Sequence, residues 1–150
     1  MKKAKILHII SSLGSGGAEK ILADIVCNES KFDHIVISLK NKGFYYKHLS
    51  ENSIVVHQLG INKLNFLIKL FLLFKIVFIE KPQVIQGWLY HGNFFGLMCK
   101  LFANSKLIWS LHSTWSLHST KIERSIYGRS IIVLNKICAI FSKEPDAILF

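Results

Sequence analysis

The chain has 150 residues, of which 51% are apolar, 12% aromatic and only two proline, which excludes a disordered chain, a collagen-like repeat and a Pro-rich linker. A domain of this size buries roughly 68 to 70% of the surface its unfolded chain exposes, so a sizeable core is within reach. Nineteen Lys plus Arg against nine Asp plus Glu leave +10 with histidines neutral, and such a surface attracts anions: nucleic acid, phosphorylated metabolites or acidic lipid.

The apolar run Ala4 to Ile10 reads as a strand. It ends in Ser11-Ser12-Leu13-Gly14-Ser15-Gly16-Gly17, after which Ala18 to Cys27 has helical spacing. His34 to Leu39 is a second strand, followed by Asn41-Lys42-Gly43 and a short helix over Phe44 to Ser50. Ser53 to Leu59 is a third, closed by Gly60 and followed by an apolar helix from Leu64 to Glu80 that Pro82 stops. Val84 to Trp88 is a fourth strand, with a loop expected over Leu89-Tyr90-His91-Gly92-Asn93 and a helix over Phe94 to Ala103. Lys106 to Leu111 is a fifth strand, Lys121 to Ser142 a long helix, and Ala147 to Phe150 opens a sixth strand, an end that a piece of a longer protein would have. Strands too apolar to show a wet face, alternating with helices, predict an α/β fold: one Rossmann-like domain over residues 1–150 with a doubly wound parallel sheet. Such folds bind ligands beyond the carboxyl ends of the strands, so function is expected in the loops there.

Cys27, Cys99 and Cys138 are widely separated, lie among apolar neighbours and form no C-x-x-C, which predicts reduced core thiols in a cytoplasmic protein. After the basic Met1-Lys2-Lys3, the run Ile6 to Ile10 is too short for a signal peptide and is broken by His8. Leu64 to Ile79 holds 13 apolar residues in 16. As a helix of about 24 Å it falls short of the roughly 30 Å hydrocarbon core. It is expected to pack on the sheet with its lysine stems directed outward, the alternative being contact with a membrane surface. The remaining lysines are scattered without interleaved aromatics, which disfavours nucleic acid as a partner.

Gly14-Ser15-Gly16-Gly17-Ala18-Glu19 carries two glycines of a dinucleotide fingerprint, but Glu19 stands where the third belongs, and Ser38-Leu39-Lys40 lacks the acid that would hold a ribose. An NAD-dependent enzyme is therefore the weakest reading. What the turn does offer is close backbone approach at a helix N-terminus, suited to a phosphate or a sugar hydroxyl.

Lys5 to Asp24, KILHIISSLGSGGAEKILAD, resembles the opening of the family 4 glycosyltransferases, retaining enzymes of the two-domain GT-B architecture. The resemblance continues at Lys81 to Leu101 (KPQVIQGWLYHGNFFGLMCKL) and at Lys106 to Ser113 (KLIWSLHS), so it covers nearly the whole chain but only the amino-terminal half of a family member. It implies donor contacts at Gly16 and Gly17, with Gly14 and Ser15 shaping the loop, and a catalytic role for His112 beside the transferred sugar, where a neutral imidazole can bond a hydroxyl or steady developing charge. His91, Trp88 and Tyr90 are the acceptor-side candidates. WSLHST occurs twice, at Trp109 to Thr114 and Trp115 to Thr120, so His118 competes with His112 for that site; His112 is favoured because it directly follows the apolar run.

In that family the second domain supplies an E-x7-E pair, and no two of Glu19, Glu29, Glu51, Glu80, Glu123 and Glu144 stand eight apart. No D-x-D or clustered histidines point to a metal, and no cofactor is expected, the nucleotide-sugar being a substrate. The leading expectation is the acceptor-side half of a retaining sugar transferase acting on a lipid-linked or polysaccharide acceptor in surface glycan biosynthesis. It would work in the cytoplasm, peripherally at the anionic inner face of the cell membrane. The alternative is a non-catalytic fragment or binding module of the same fold.

Overall fold

The computed structural model describes residues 3–41, 43–110, 133 and 146–149. Six strands, β1 (Lys5–Ile10), β2 (Asp33–Ser38), β3 (Val55–Gln58), β4 (Val84–Trp88), β5 (Lys106–Ser110) and β6 (Ala147–Leu149), alternate with helices α1 (Gly17–Asn28), α2 (Phe44–Glu51), α3 (Phe66–Glu80) and α4 (Leu89–Lys100). All strand pairs are parallel, and the order is β3-β2-β1-β4-β5-β6. This is the Rossmann-like architecture that the alternation predicts. The order reverses between β1 and β4, where a doubly wound sheet opens its ligand crevice.

Alternation along each strand sends neighbouring side chains to opposite faces of the sheet. Leu7, Ile9, Ile35, Ile37, Ile85 and Leu107 pack against Leu73, Ile76 and Val77 of α3 and Phe95, Leu97 and Cys99 of α4. On the other side Ile10, Val36 and Trp88 meet Ala18, Leu22, Ala23 and Val26 of α1 and Leu49 of α2. Cys27 and Cys99 are free thiols, as expected, and burial pushes Cys99 up to about 12, so it behaves as a small apolar core residue. Cys138 lies outside the described residues.

Two junctions, one at each edge of the sheet, shape the crossovers around β4. Lys81 adopts a left-handed conformation (φ 48°), its N–H bonds the Val77 carbonyl at 3.0 Å, and with Pro82 it ends α3. At the other junction the loop expected over Leu89 to Asn93 does not exist. Leu89 (φ 59°) turns the chain from strand straight into helix, so α4 begins at Leu89 and ends at Lys100 instead of running from Phe94 to Ala103. Glycine makes this possible. A Cβ on Gly92 would collide with the Ile9 carbonyl oxygen, and one on Gly87 would come within 2.6 Å of the Asn93 Cα, so α4 sits against the ends of β1 and β4 at a separation only glycine permits. The predicted helix over Lys121 to Ser142, of which only Val133 is described, lies outside the described residues, as do both WSLHST histidines.

Candidate functional site

The carboxyl ends of β1, β2 and β3 and the first turns of α3 and α4 enclose a crevice of about 670 Å³, lined by Ser11, Leu39, Lys40, Ile61, Asn62, Lys63, Phe66, His91 and Phe95. Its floor is held by backbone bonds between successive strand ends. The Lys40 N–H donates to the Ser11 carbonyl (3.0 Å) and the Ile61 N–H to the Leu39 carbonyl (2.8 Å), while the Ser38 hydroxyl donates to the Lys40 carbonyl (2.8 Å). The turn into α3 is tied by two asparagines. Asn62 Oδ1 accepts from the Leu64 and Asn65 N–H groups at 2.9 and 3.0 Å, and Asn65 Nδ2 donates to the Gly60 carbonyl at 3.0 Å. Phe66 and Phe95, ring centroids 6.3 Å apart, form an apolar wall.

Against that wall stand polar and cationic groups. Burial, helped by the positive charge of Lys40, holds the His91 imidazole below its ordinary value, so it is neutral at pH 7 and able to donate from one nitrogen and accept at the other. With Lys40 and Lys63 on the rim, the crevice presents a hydrocarbon wall, a neutral imidazole and two ammonium groups. Chemically that combination fits an amphiphile whose polar end carries hydroxyls and an anion.

The glycine turn lies just beyond Ser11, on the α1 side of the same edge. Gly16 caps α1 with no side-chain cap, and its carbonyl accepts the Lys20 N–H at 3.1 Å, opening the helix. Ser15, Gly16 and Gly17 are exposed, and a Cβ on Gly17 would meet nothing within 4 Å. The Glu19 carboxylate bends back over the turn, 3.5 Å from the Ser12 hydroxyl and against Gly16, so an acid of the chain itself occupies the approach to Gly16 while Gly17 stays open.

The sequence candidates are thus divided. His91 lines the crevice, and Gly14 to Gly17 lie at the neighbouring strand end. Tyr90 is half-buried in the first turn of α4, off the crevice lining. Trp88 needs correction: with 0% of its surface exposed, it packs beneath α1 and offers no face to a sugar. The described part of β5 ends at Ser110, paired with Trp88, and His112 and His118 lie outside the described residues. Lys40, Lys63, Phe66 and Phe95 were not singled out from the sequence. The strand-end rule flags the loops that hold both lysines, whereas the two phenylalanines look like ordinary core residues until two helix starts bring them together. Among the described residues no group of His, Cys, Asp or Glu is placed to hold a metal ion.

Trp88 belongs instead to a buried polar file that the sequence reading missed. Its indole N–H donates to His8 Nδ1 (3.2 Å), and His8 Nε2 lies 2.9 Å from His34 Nδ1. Since Nδ1 of His8 accepts, its proton sits on Nε2 and is donated to His34, whose own Nε2–H then faces Glu29 Oε2 at 3.6 Å, beyond hydrogen-bond range. Beside them the Gln86 amide donates to the Ser110 hydroxyl at 2.7 Å. Burial, with the neighbouring His34, pushes His8 down to about 3, and burial also lowers His34 despite Glu29, so both rings are neutral at pH 7.

No protein-family profile and no curated protein matches this chain. Solved structures do. The HepE protein of Anabaena in complex with UDP superposes over 97% of this chain and 36% of its own, with a TM-score of 0.67 and 15% identity. A glycosyltransferase from Rickettsia africae overlaps 82% of this chain and 33% of its own (TM-score 0.63, 17% identity). The lipopolysaccharide outer core galactosyltransferase WaaB, in its apo form, overlaps 88% and 37% (TM-score 0.55, 17% identity). This chain therefore spans about a third of the length of these neighbours. At such identities the likeness establishes the fold: a Rossmann-like parallel sheet matching one part of glycosyltransferase structures.

Proposed function

We propose that this chain is the acceptor-side half of a retaining glycosyltransferase that moves a sugar from a nucleotide-sugar onto a lipid-linked or polysaccharide acceptor in surface glycan biosynthesis. The observation that carries the reading is the crevice at the carboxyl ends of β1, β2 and β3, next to the β1–β4 switch point, where His91, Lys40 and Lys63 face an apolar wall beside an exposed glycine turn. The overlap of 97% of the chain with HepE, a protein solved with UDP and also with UDP-glucose, supports a nucleotide-sugar as the donor class.

In this reading the open backbone at Gly17, with Gly14, Ser15 and Gly16 shaping the turn, approaches the donor's phosphates from the α1 side, where the first-turn N–H groups favour negative charge. The acceptor enters the crevice, its anionic part against Lys40 and Lys63 and its hydroxyl beside His91. In the same reading His112, which follows the fifth strand in sequence, acts at the transferred sugar and stabilises charge that builds as the glycosidic bond exchanges. A donor-binding half, on the same polypeptide or a second one, completes the site, and no metal or other cofactor is assigned. The enzyme works on the cytoplasmic side of the cell membrane, peripherally attached.

The overlap with only about a third of each neighbour favours one second reading, in which the chain by itself is a non-catalytic binding module. A nicotinamide-dependent enzyme is less well supported, because Lys40 lines the crevice where a ribose-holding acid would be needed. The test is transfer of labelled sugar by the chain joined to, or mixed with, a donor-binding half. His112→Ala should lower kcat on the order of 10²- to 10⁴-fold with folding intact. Unchanged turnover would remove His112 from the mechanism, and equal transfer by the chain alone would refute the binding-module reading.

A further inference from the structure

A helix that only covers a sheet shows solvent a polar face. The outward face of α3 is different. Positions 64, 67, 68, 71, 75, 78 and 79 recur at helical spacing on the side opposite the buried Leu73, Ile76 and Val77, and all but Lys75 are apolar. Leu64 is 98% exposed, Leu67 76%, Phe71 72% and Phe78 75%, with Ile68 and Ile79 also mostly in solvent. Phe102, 72% exposed just beyond α4, reaches Phe74 of α3 with ring centroids 4.9 Å apart and widens the patch. Six large apolar side chains in one stripe exceed the scattered exposure that a soluble surface tolerates.

The charges around this stripe are of one sign. Lys63, Lys75 and Lys81 flank or interrupt it, and the one acid on the helix, Glu80, is already paired with Lys5 at 2.7 Å. The stripe cannot be a buried span. The 15-residue helix is about 22 Å long, short of the hydrocarbon core, its other face is committed to the sheet, and no helix among the described residues is long and apolar enough to cross a membrane. A helix that is apolar outward, ringed by lysines and too short to span lies in the plane of a lipid interface. A second copy of this chain is a poorer occupant, since it would bring another +10 against the same lysines.

We propose that the outward face of α3, from Leu64 to Ile79 with Phe102 beside it, docks the protein onto an anionic lipid bilayer. The stripe begins at the crevice: Lys63 and Phe66 line it, and Leu64 and Leu67 are the first residues of the docking face. Docking would therefore bring the crevice's apolar wall down to the lipid surface, where the tail of a membrane-borne acceptor could stay in the bilayer while its anionic head meets Lys40 and Lys63. This route for the acceptor rests on the transferase reading, whereas the docking itself stands on α3 alone.

The test is cosedimentation of the 150-residue chain with vesicles of phosphatidylcholine containing about one third phosphatidylglycerol, compared with phosphatidylcholine alone. Binding should be at least about tenfold tighter to the anionic vesicles and should weaken with salt. The double variant Leu67→Glu/Phe71→Glu, altered only at exposed positions, should lose on the order of tenfold or more in affinity with an unchanged melting curve. Should the double variant melt early, Phe78→Glu reads the same face. Lys75→Gln should lessen the preference for anionic vesicles. Absence of wild-type binding, equal binding by the glutamate variants, or a vesicle-free dimer that those variants convert to monomer would overturn the proposal. Because sugar transfer to a detergent-dispersed acceptor does not need the bilayer, its persistence in the glutamate variants separates failure of the docking from failure of the transferase reading.

Discussion

The two faces of this sheet are built from different chemistry. Beneath α3 and α4 the strands contribute Leu7, Ile9, Ile35, Ile37, Ile85 and Leu107, all hydrocarbon. Beneath α1 the same strands carry Trp88, His8 and His34 in one hydrogen-bonded file, with Gln86 and Ser110 bonded to each other beside it. The first face gains stability from area and volume and is indifferent to pH. The second keeps its polar groups only because nearly every donor finds an acceptor, so its stability depends on tautomer and proton count.

Breaking the apolar face has the largest expected effect. Leu73→Ala, at a site with no solvent exposure, should lower unfolding free energy by about 2–5 kcal/mol at every pH, read by urea denaturation. The polar face responds to acid. His8 is held at about 3 when folded against 6.5 when unfolded, so the unfolded state binds the extra proton between those values. Stability is then fully present above pH 6.5 and falls as pH drops, by roughly 1.4 kcal/mol per unit for this one group, with His34 shifted in the same direction and adding to the loss. His8→Gln should flatten the acid limb of a stability profile, and an unaltered slope would show that the file does not carry it. Trp88→Phe removes the donor to His8 and part of a fully buried ring, and should cost about 1–3 kcal/mol.

The smallest structural effect falls at the glycine turn and sharpens the division between scaffold and site. Gly17→Ala places its methyl in open space at the first position of α1, so thermal stability should move by no more than about 0.5 kcal/mol. If the turn contacts donor phosphates, the same methyl raises the donor KM of the assembled enzyme. A change in melting temperature with donor kinetics untouched would place Gly17 with the scaffold instead.

The alternation of β-branched runs with helical spacing was enough to read the sheet, since strand and helix periods are written locally, and every described strand falls within a residue or two of its expected span. The β4–α4 junction was not legible. Leu89-Tyr90-His91-Gly92-Asn93 has loop composition, and its helical state follows from Gly92 and Gly87 letting α4 close onto Ile9 of β1 and onto Gly87 of β4, a tertiary fact. For the same reason Trp88 looked like a binding residue: a strand-end aromatic looks alike whether it faces a ligand or an inward histidine 80 positions away. The crevice was visible as loops to inspect but not as residues, because Lys40, Lys63 with Phe66, and Phe95 converge from three separate segments. The outward stripe of α3 could be suspected from its hydrophobicity, but which residues face solvent emerges only once Leu73, Ile76 and Val77 are seen against the sheet.

The central claim is that the crevice receives the acceptor, and acceptor kinetics of the chain completed by a donor-binding half test it most directly. With Lys40→Ala/His91→Ala, kcat/KM for the acceptor should fall at least about a hundredfold while the donor KM stays within about twofold. Acceptor kinetics unchanged by the double substitution, in a variant that melts normally, would contradict the account.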